Sequence, residues 1–121
     1  MKIIGSHMLI DMEDVAINKL IDVKFIENVL LTACEKAGAT ILNHYFHKFG
    51  GEGGVTGIVA LAESHMSIHT WPEYGFASID IFMCGESIPD KALQYIEESF
   101  SPGSMDVKNI GRGLSISLIK N

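Results

Sequence analysis

Only two stretches of this sequence carry helical spacing, and each lies between runs of strand-like residues. Over 22–37, Ile26, Val29, Leu30, Ala33, Cys34 and Ala37 recur at three- and four-residue intervals, which puts them on one side of a helix. Asp22 is placed to cap its start and Gly38 to end it in a left-handed conformation. A second helix is predicted over 89–99, with Ser87 near its cap, Pro89 in its first turn, and Ala92, Leu93, Ile96 and Phe100 inward. Pro102-Gly103 stops it.

Strands are predicted over 1–12, 39–47, 55–62 and 76–83, with a shorter extended piece over 66–70 running into Trp71-Pro72. The tail reads as two more, 105–110 and 114–119, split by Gly111-Arg112-Gly113. Residues 13–21 read as a polar connection. The glycine-rich run 49–54 has no Gly-Lys-Ser/Thr and no following helix, so it reads as a hairpin connection and not a phosphate loop. The order β-α-β-β-β-α-β predicts an α+β two-layer sandwich, an antiparallel sheet with both helices on one face. The run 55–62 is apolar on both sides, which predicts a central, covered strand. With strands apolar on both sides, the second face of the sheet is expected to pack against a second copy, making a homodimer.

With 121 residues, the chain reads as a single domain, 1–121. No apolar run is long enough for a membrane span, and the N-terminus lacks a secretory pattern, so a cytoplasmic protein is expected. A net charge of −6 argues against nucleic acid, which needs clustered Lys and Arg. An acidic surface suits a cationic small molecule. Cys34 and Cys84, the two cysteines, show no C-x-x-C pairing and read as reduced thiols, with no metal site expected.

The chemistry concentrates between 57 and 85. Ser64 follows Glu63 at the mouth of an apolar strand; His65 and His69 come next, then Trp71-Pro72-Glu73-Tyr74-Gly75. On a helix, His65 and His69 would share one face and a metal. Ile68, Thr70, Trp71 and Pro72 favour extended backbone, which removes that option. A hydrolase triad would want Gly-x-Ser-x-Gly before a helix; neither is present. Cys84 on its own reads as an inert thiol. Its company, a serine and two histidines on strands otherwise poor in polar residues, points to reactivity.

The run Glu63-Ser64-His65-x-x-Ile68-His69-Thr70-Trp71-Pro72-Glu73-Tyr74-Gly75, with Asp80 and Cys84-Gly85, closely resembles the short prokaryotic S-adenosylmethionine decarboxylases. Lys2-x-x-Gly5-x-His7, Gly38-Ala39-Thr40-Ile41, His47-x-Phe49 and Gly54-Val55-Thr56-Gly57 extend the likeness from residue 1 to about 100. The resemblance implies an internal serinolysis: Ser64 attacks the Glu63 carbonyl, and β-elimination leaves a β chain 1–63 and an α chain 64–121. The α chain would begin with a pyruvoyl group derived from Ser64, the cofactor. It further implies that His69 assists processing and that Thr56, at a position usually held by serine, binds the tetrahedral oxygen. Cys84 would protonate the substrate α-carbon, Phe49 would stack on the adenine, and Glu73 would hold the ribose hydroxyls.

The implied reaction is decarboxylation of S-adenosylmethionine through a Schiff base to the pyruvoyl ketone, yielding the aminopropyl donor for spermidine synthesis. It would occur in a homodimer of αβ units with no metal and no partner beyond the substrate. Two other readings stand beside it: a pyruvoyl-dependent arginine or ornithine decarboxylase, and an unprocessed, non-catalytic binding module.

Overall fold

The computed structural model describes residues 4–113. Six strands form one sheet, β1 (Gly5–Glu13), β2 (Ile41–Lys48), β3 (Val55–Leu61), β4 (Ser64–Trp71), β5 (Phe76–Cys84) and β6 (Ser104–Arg112). Their order is β2-β3-β4-β5-β1-β6, and every neighbouring pair is antiparallel. Three helices accompany them: α1 (Ile17–Leu20), α2 (Val23–Lys36) and α3 (Pro89–Phe100). The α+β sandwich predicted from spacing is the observed one.

Alternation along each strand sends one set of side chains into a single core. Met8, Ile10, Val59, Met66, Ile68, Ile79 and Ile81 meet Ile26, Leu30 and Cys34 of α2 and Ile96 and Phe100 of α3 there, so both long helices cover the same face. Each such Ile or Leu is worth roughly 1.5–3 kcal/mol on burial. Asp22 caps α2 by accepting from Phe25 N–H at 3.0 Å, and Gly38, at φ 79°, turns the chain out of it.

Four expectations need correction. The polar connection over 13–21 contains α1, whose Leu20 is fully buried and whose carbonyl accepts from Thr70 Oγ1 at 2.8 Å. Thr70 Oγ1 also accepts from Val55 N–H at 2.8 Å, so one buried hydroxyl ties α1 to β3. Ser87 makes no cap: α3 starts from Ile88 without a side-chain hydrogen bond, and Ser87 Oγ is buried without a partner. The tail does not break at Gly111, because β6 runs on to Arg112 opposite Gly5. The second tail strand, 114–119, and residues 1–3 of the first lie outside the described residues. Finally, β3 is next to the edge, and only its Val55, Gly57, Val59 and Leu61 side is buried; Ile58 and Ala60 are exposed.

Among the described residues, nothing covers the face opposite the helices. It presents Tyr45, Ile58, His69, Trp71 and Ile110, all exposed. Among the described residues, no helix is long and apolar enough to cross a membrane.

Candidate active site

The β3–β4 hairpin carries the Glu63–Ser64 junction. Leu61 and Ser64 face each other in the ladder, so Ala62 and Glu63 alone make the turn. Two-residue hairpins demand positive φ, a demand usually met by Gly or Asn. Neither turn residue meets it; the positive φ appears one residue on, at Ser64, the first residue of β4, with φ 146°. A non-glycine residue held there stores roughly 1–3 kcal/mol of backbone strain. Contacts on both sides of the turn keep it in place: Ala62 N–H donates to the Thr40 carbonyl and Thr40 N–H to Glu63 Oε1, each at 2.9 Å.

The Glu63 carbonyl is doubly engaged. It accepts from the Cys84 backbone N–H at 3.1 Å and from the Cys84 thiol at 3.0 Å. Two donors fixed on one carbonyl oxygen lower the cost of negative charge there, as an oxyanion hole does. Cys84 ends β5 opposite Gly5, where any Cβ would lie 3.2 Å from the Cys84 Cβ and 2.9 Å from the Met83 carbonyl. Only glycine leaves that space. The other thiol is different in kind. Cys34 is fully buried, and burial, with smaller contributions from the charges of Glu35 and Glu63, pushes its pKa up to about 12.

A second group gathers at the opposite end of the same strands. Thr56 and His69 are register partners, with Thr56 Oγ1 and His69 Nδ1 3.1 Å apart on the open face. His47 pairs with Thr56 on the other side, and Phe49 packs edge-on against His47 with ring centres 4.7 Å apart. The glycine loop beside Phe49 is held by Lys48, whose Nζ donates to the carbonyls of Phe49 at 2.7 Å and Gly51 at 2.8 Å. Beyond Trp71 the chain forms a 3₁₀ turn, Pro72–Tyr74, which exposes Glu73 at this same end. An adjoining groove of about 370 Å³ is lined by Glu13, Asp14, Trp71, Tyr74 and Phe76.

The structure thus brings Glu63, Ser64 and Cys84 together, and separately Thr56, His69, Phe49 and Glu73. It does not bring the two sets together in one chain. Ser64 and His69 are five residues apart on an extended strand, about 17 Å at the usual rise. His65 and His69, four apart on that strand, are about 13 Å from one another, too far to share a metal.

One polar residue near Cys84 has no role in the readings above. His7 stands on the open face of β1, two residues from Gly5; its Nε2 is buried without a hydrogen-bond partner and lies 3.9 Å from Asp80 Oδ2. Its signal in the sequence is Gly5-x-His7, a polar residue on an apolar strand.

An α+β sandwich with an activated backbone carbonyl beside a strained serine defines a class of protein built around its own hairpin. A solved structure of the adenosylmethionine decarboxylase from Aquifex aeolicus VF5 superimposes with a TM-score of 0.86 at 35% identity, covering 94% of each chain. The S-adenosylmethionine decarboxylase proenzyme of Thermodesulfovibrio yellowstonii is 44% identical over 112 residues, 92% of this chain and 82% of that one. The proenzyme of the same name from Syntrophomonas wolfei is 42% identical over 115 residues, 94% of this chain and 90% of that one. The S-adenosylmethionine decarboxylase family profile matches residues 6–113, and the chain belongs to that family.

Proposed function

We propose that this protein is a self-processing, pyruvoyl-dependent S-adenosylmethionine decarboxylase, acting in the cytoplasm as a homodimer of αβ units. The observation that carries the processing step is the Glu63 carbonyl, held by two donors of Cys84 next to a serine at φ 146°. The Ser64 hydroxyl adds to that carbonyl, and the oxygen that gains charge already faces its donors. Collapse moves the acyl group from nitrogen to oxygen and releases the strain. His69 then takes the α-proton of residue 64, the ester bond breaks, and Glu63 becomes the carboxyl end of the β chain 1–63. Water converts the dehydroalanine left at position 64 to a pyruvoyl group with loss of ammonia, opening the α chain 64–121. The residues at the junction fit that group, because the Cys84 thiol donates to the Glu63 carbonyl oxygen, one peptide bond from the Cα that becomes the keto carbon.

The two-part layout supports the dimer. His69 of one chain is too far from its own Ser64 to reach the α-proton, and Thr56, Phe49 and Glu73 lie with His69. A second copy, packed face to face across the open sheet face and related by a two-fold axis, sets the His69 end of one chain over the Ser64 end of the other. Two equivalent sites then form, each drawing on both chains. The apolar residues on the open face supply the contact.

When present, the pyruvoyl ketone supplies an electron sink for the α-carbon of a substrate amine. Around it, Cys84 holds the proton that returns to that carbon. Phe49 offers an aromatic surface for adenine stacking, and Glu73 a carboxylate for the ribose hydroxyls. Both carboxylate and acidic surface favour a sulfonium substrate. The test is release of carbon dioxide from carboxyl-labelled S-adenosylmethionine, arginine and ornithine by the cleaved protein. Release from S-adenosylmethionine alone is expected; release from either amino acid in its place overturns the substrate assignment.

A further inference from the structure

We propose that His7, oriented by Asp80, is a positioning residue that returns the proton to Cys84 after each turnover. The inference rests on the decarboxylase reading, in which Cys84 gives up its thiol proton and is left as a thiolate. The next cycle cannot start until that proton is replaced. Cys84 is only half-buried at the end of β5, and a poised side chain returns a proton faster than chance encounters with solvent do.

The geometry points to His7 for three reasons. Gly5 sits opposite Cys84 and His7 opposite Phe82, which makes His7 and Cys84 diagonal neighbours on one face, a spacing of about 7–8 Å that a ring can bridge. Gly5 contributes no side chain, so β1 places nothing between them. And His7 is not satisfied as a core histidine would be. Its Nε2 is buried and without a hydrogen-bond partner, one of two such side-chain atoms among the described residues. The ring is flanked instead by Phe82 at 5.4 Å and His65 at 6.2 Å between centres.

Asp80 completes the route. Its carboxylate lies 3.9 Å from His7 Nε2, which leaves Nδ1 as the nitrogen available to the thiolate. On its other side Asp80 opens onto a groove of about 200 Å³, which Asp11, Ser78, Asp106 and Lys108 also line. Water there resupplies the proton. The balance is simple: Cys84 S–H becomes S⁻ as the substrate carbon gains hydrogen. Protonated His7 then loses its Nδ1–H as the S–H bond re-forms and keeps its Nε2–H; once the ring turns, the bare Nδ1 takes a proton from solvent through the groove.

The test separates the first turnover from later ones. Rapid-quench assays with excess S-adenosylmethionine compare cleaved wild type, His7→Gln and Asp80→Asn, after mass analysis shows that all are processed. The first product per site, which uses the proton already on Cys84, is expected within about twofold of wild type. Steady turnover of His7→Gln is expected to fall by about tenfold or more, with a smaller fall for Asp80→Asn. Added imidazole should restore part of the rate to His7→Ala. A loss that strikes first and later turnovers equally marks a structural role and overturns the proposal, as does no loss at all. A second readout needs no turnover: in Ser64→Ala protein, alkylation of Cys84 at neutral pH should slow by about threefold or more on adding His7→Gln. An unchanged rate overturns the coupling. Should wild type release no carbon dioxide, the decarboxylase reading fails, and the alkylation comparison still decides whether His7 acts on Cys84.

Discussion

If the proposed dimer is right, mixing two inactive variants should restore activity, because the residues proposed to cut the chain would stand on different subunits. Ser64 and His69 lie about 17 Å apart along β4, whereas proton transfer needs groups within about 3–3.5 Å. No rotamer closes that gap, so on the proposed dimer Ser64→Ala and His69→Ala would damage opposite halves of a shared site. Each homodimer is then dead at both sites. In a mixed dimer, one site carries both lesions and the other carries neither. Random reassortment makes half the dimers mixed, so an equal mixture should recover about a quarter of the wild-type sites. The assay co-refolds the two proteins, follows cleavage by denaturing mass analysis, and then measures carbon dioxide release. Only His69→Ala chains should be cut, since they alone keep Ser64. No recovery over prolonged incubation, with mixed dimers shown to form, would mean that each chain completes its own site and that the two-part layout is misread.

Other consequences are narrower. Cys84→Ala removes one of the two donors on the Glu63 carbonyl, so self-cleavage should slow by about tenfold while the product, once cut, turns over poorly; the two rates are separable by mass and by carbon dioxide release. Thr70→Val leaves Val55 N–H and the Leu20 carbonyl buried without their partner, a cost of about 2 kcal/mol that should lower the melting midpoint by about 8 °C. Cys34, with its pKa raised from 9.0 to about 12, keeps its proton in the folded state after an unfolded chain has lost it. Its stabilising effect is complete below pH 9 and is lost as pH rises toward 12, by about 1.4 kcal/mol per pH unit. Cys34→Val should flatten that decline in urea titrations, and native Cys34 should resist thiol reagents that modify Cys84.

Much of this architecture can be read from side-chain periodicity. The inward rows of both long helices follow from three- and four-residue spacing, and Asp22 and Gly38 mark real helix ends because their chemistry suits capping and left-handed backbone. Periodicity is silent on other points. α1 is a single turn, too short to show a period, and Leu20 is buried through its packing and the contact with Thr70, 50 residues away. Gly111 looked like a break, yet the ladder opposite β1 carries β6 through it. β3 does carry apolar residues on both sides, but its outer side, Ile58 and Ala60, stands exposed.

The site shows the same division. Residue types and order single out Ser64, Cys84 and His69, but nearness in sequence hides that one extended strand separates Ser64 from His69. Nor does the sequence show that a serine just past a two-residue hairpin takes a positive φ. That strain, and the paired donors of Cys84, exist only once β4 and β5 are in register. His7 stayed silent because a histidine on an apolar strand is ordinarily a satisfied one; the unpartnered Nε2 is a fact of packing.

The mass of the purified chain under denaturing conditions tests the central claim most directly. Two species are predicted, 1–63 and 64–121, the second blocked to N-terminal sequencing and labelled by a carbonyl reagent, while Ser64→Ala stays whole. A wild-type chain that remains intact and unlabelled after prolonged incubation would contradict the account.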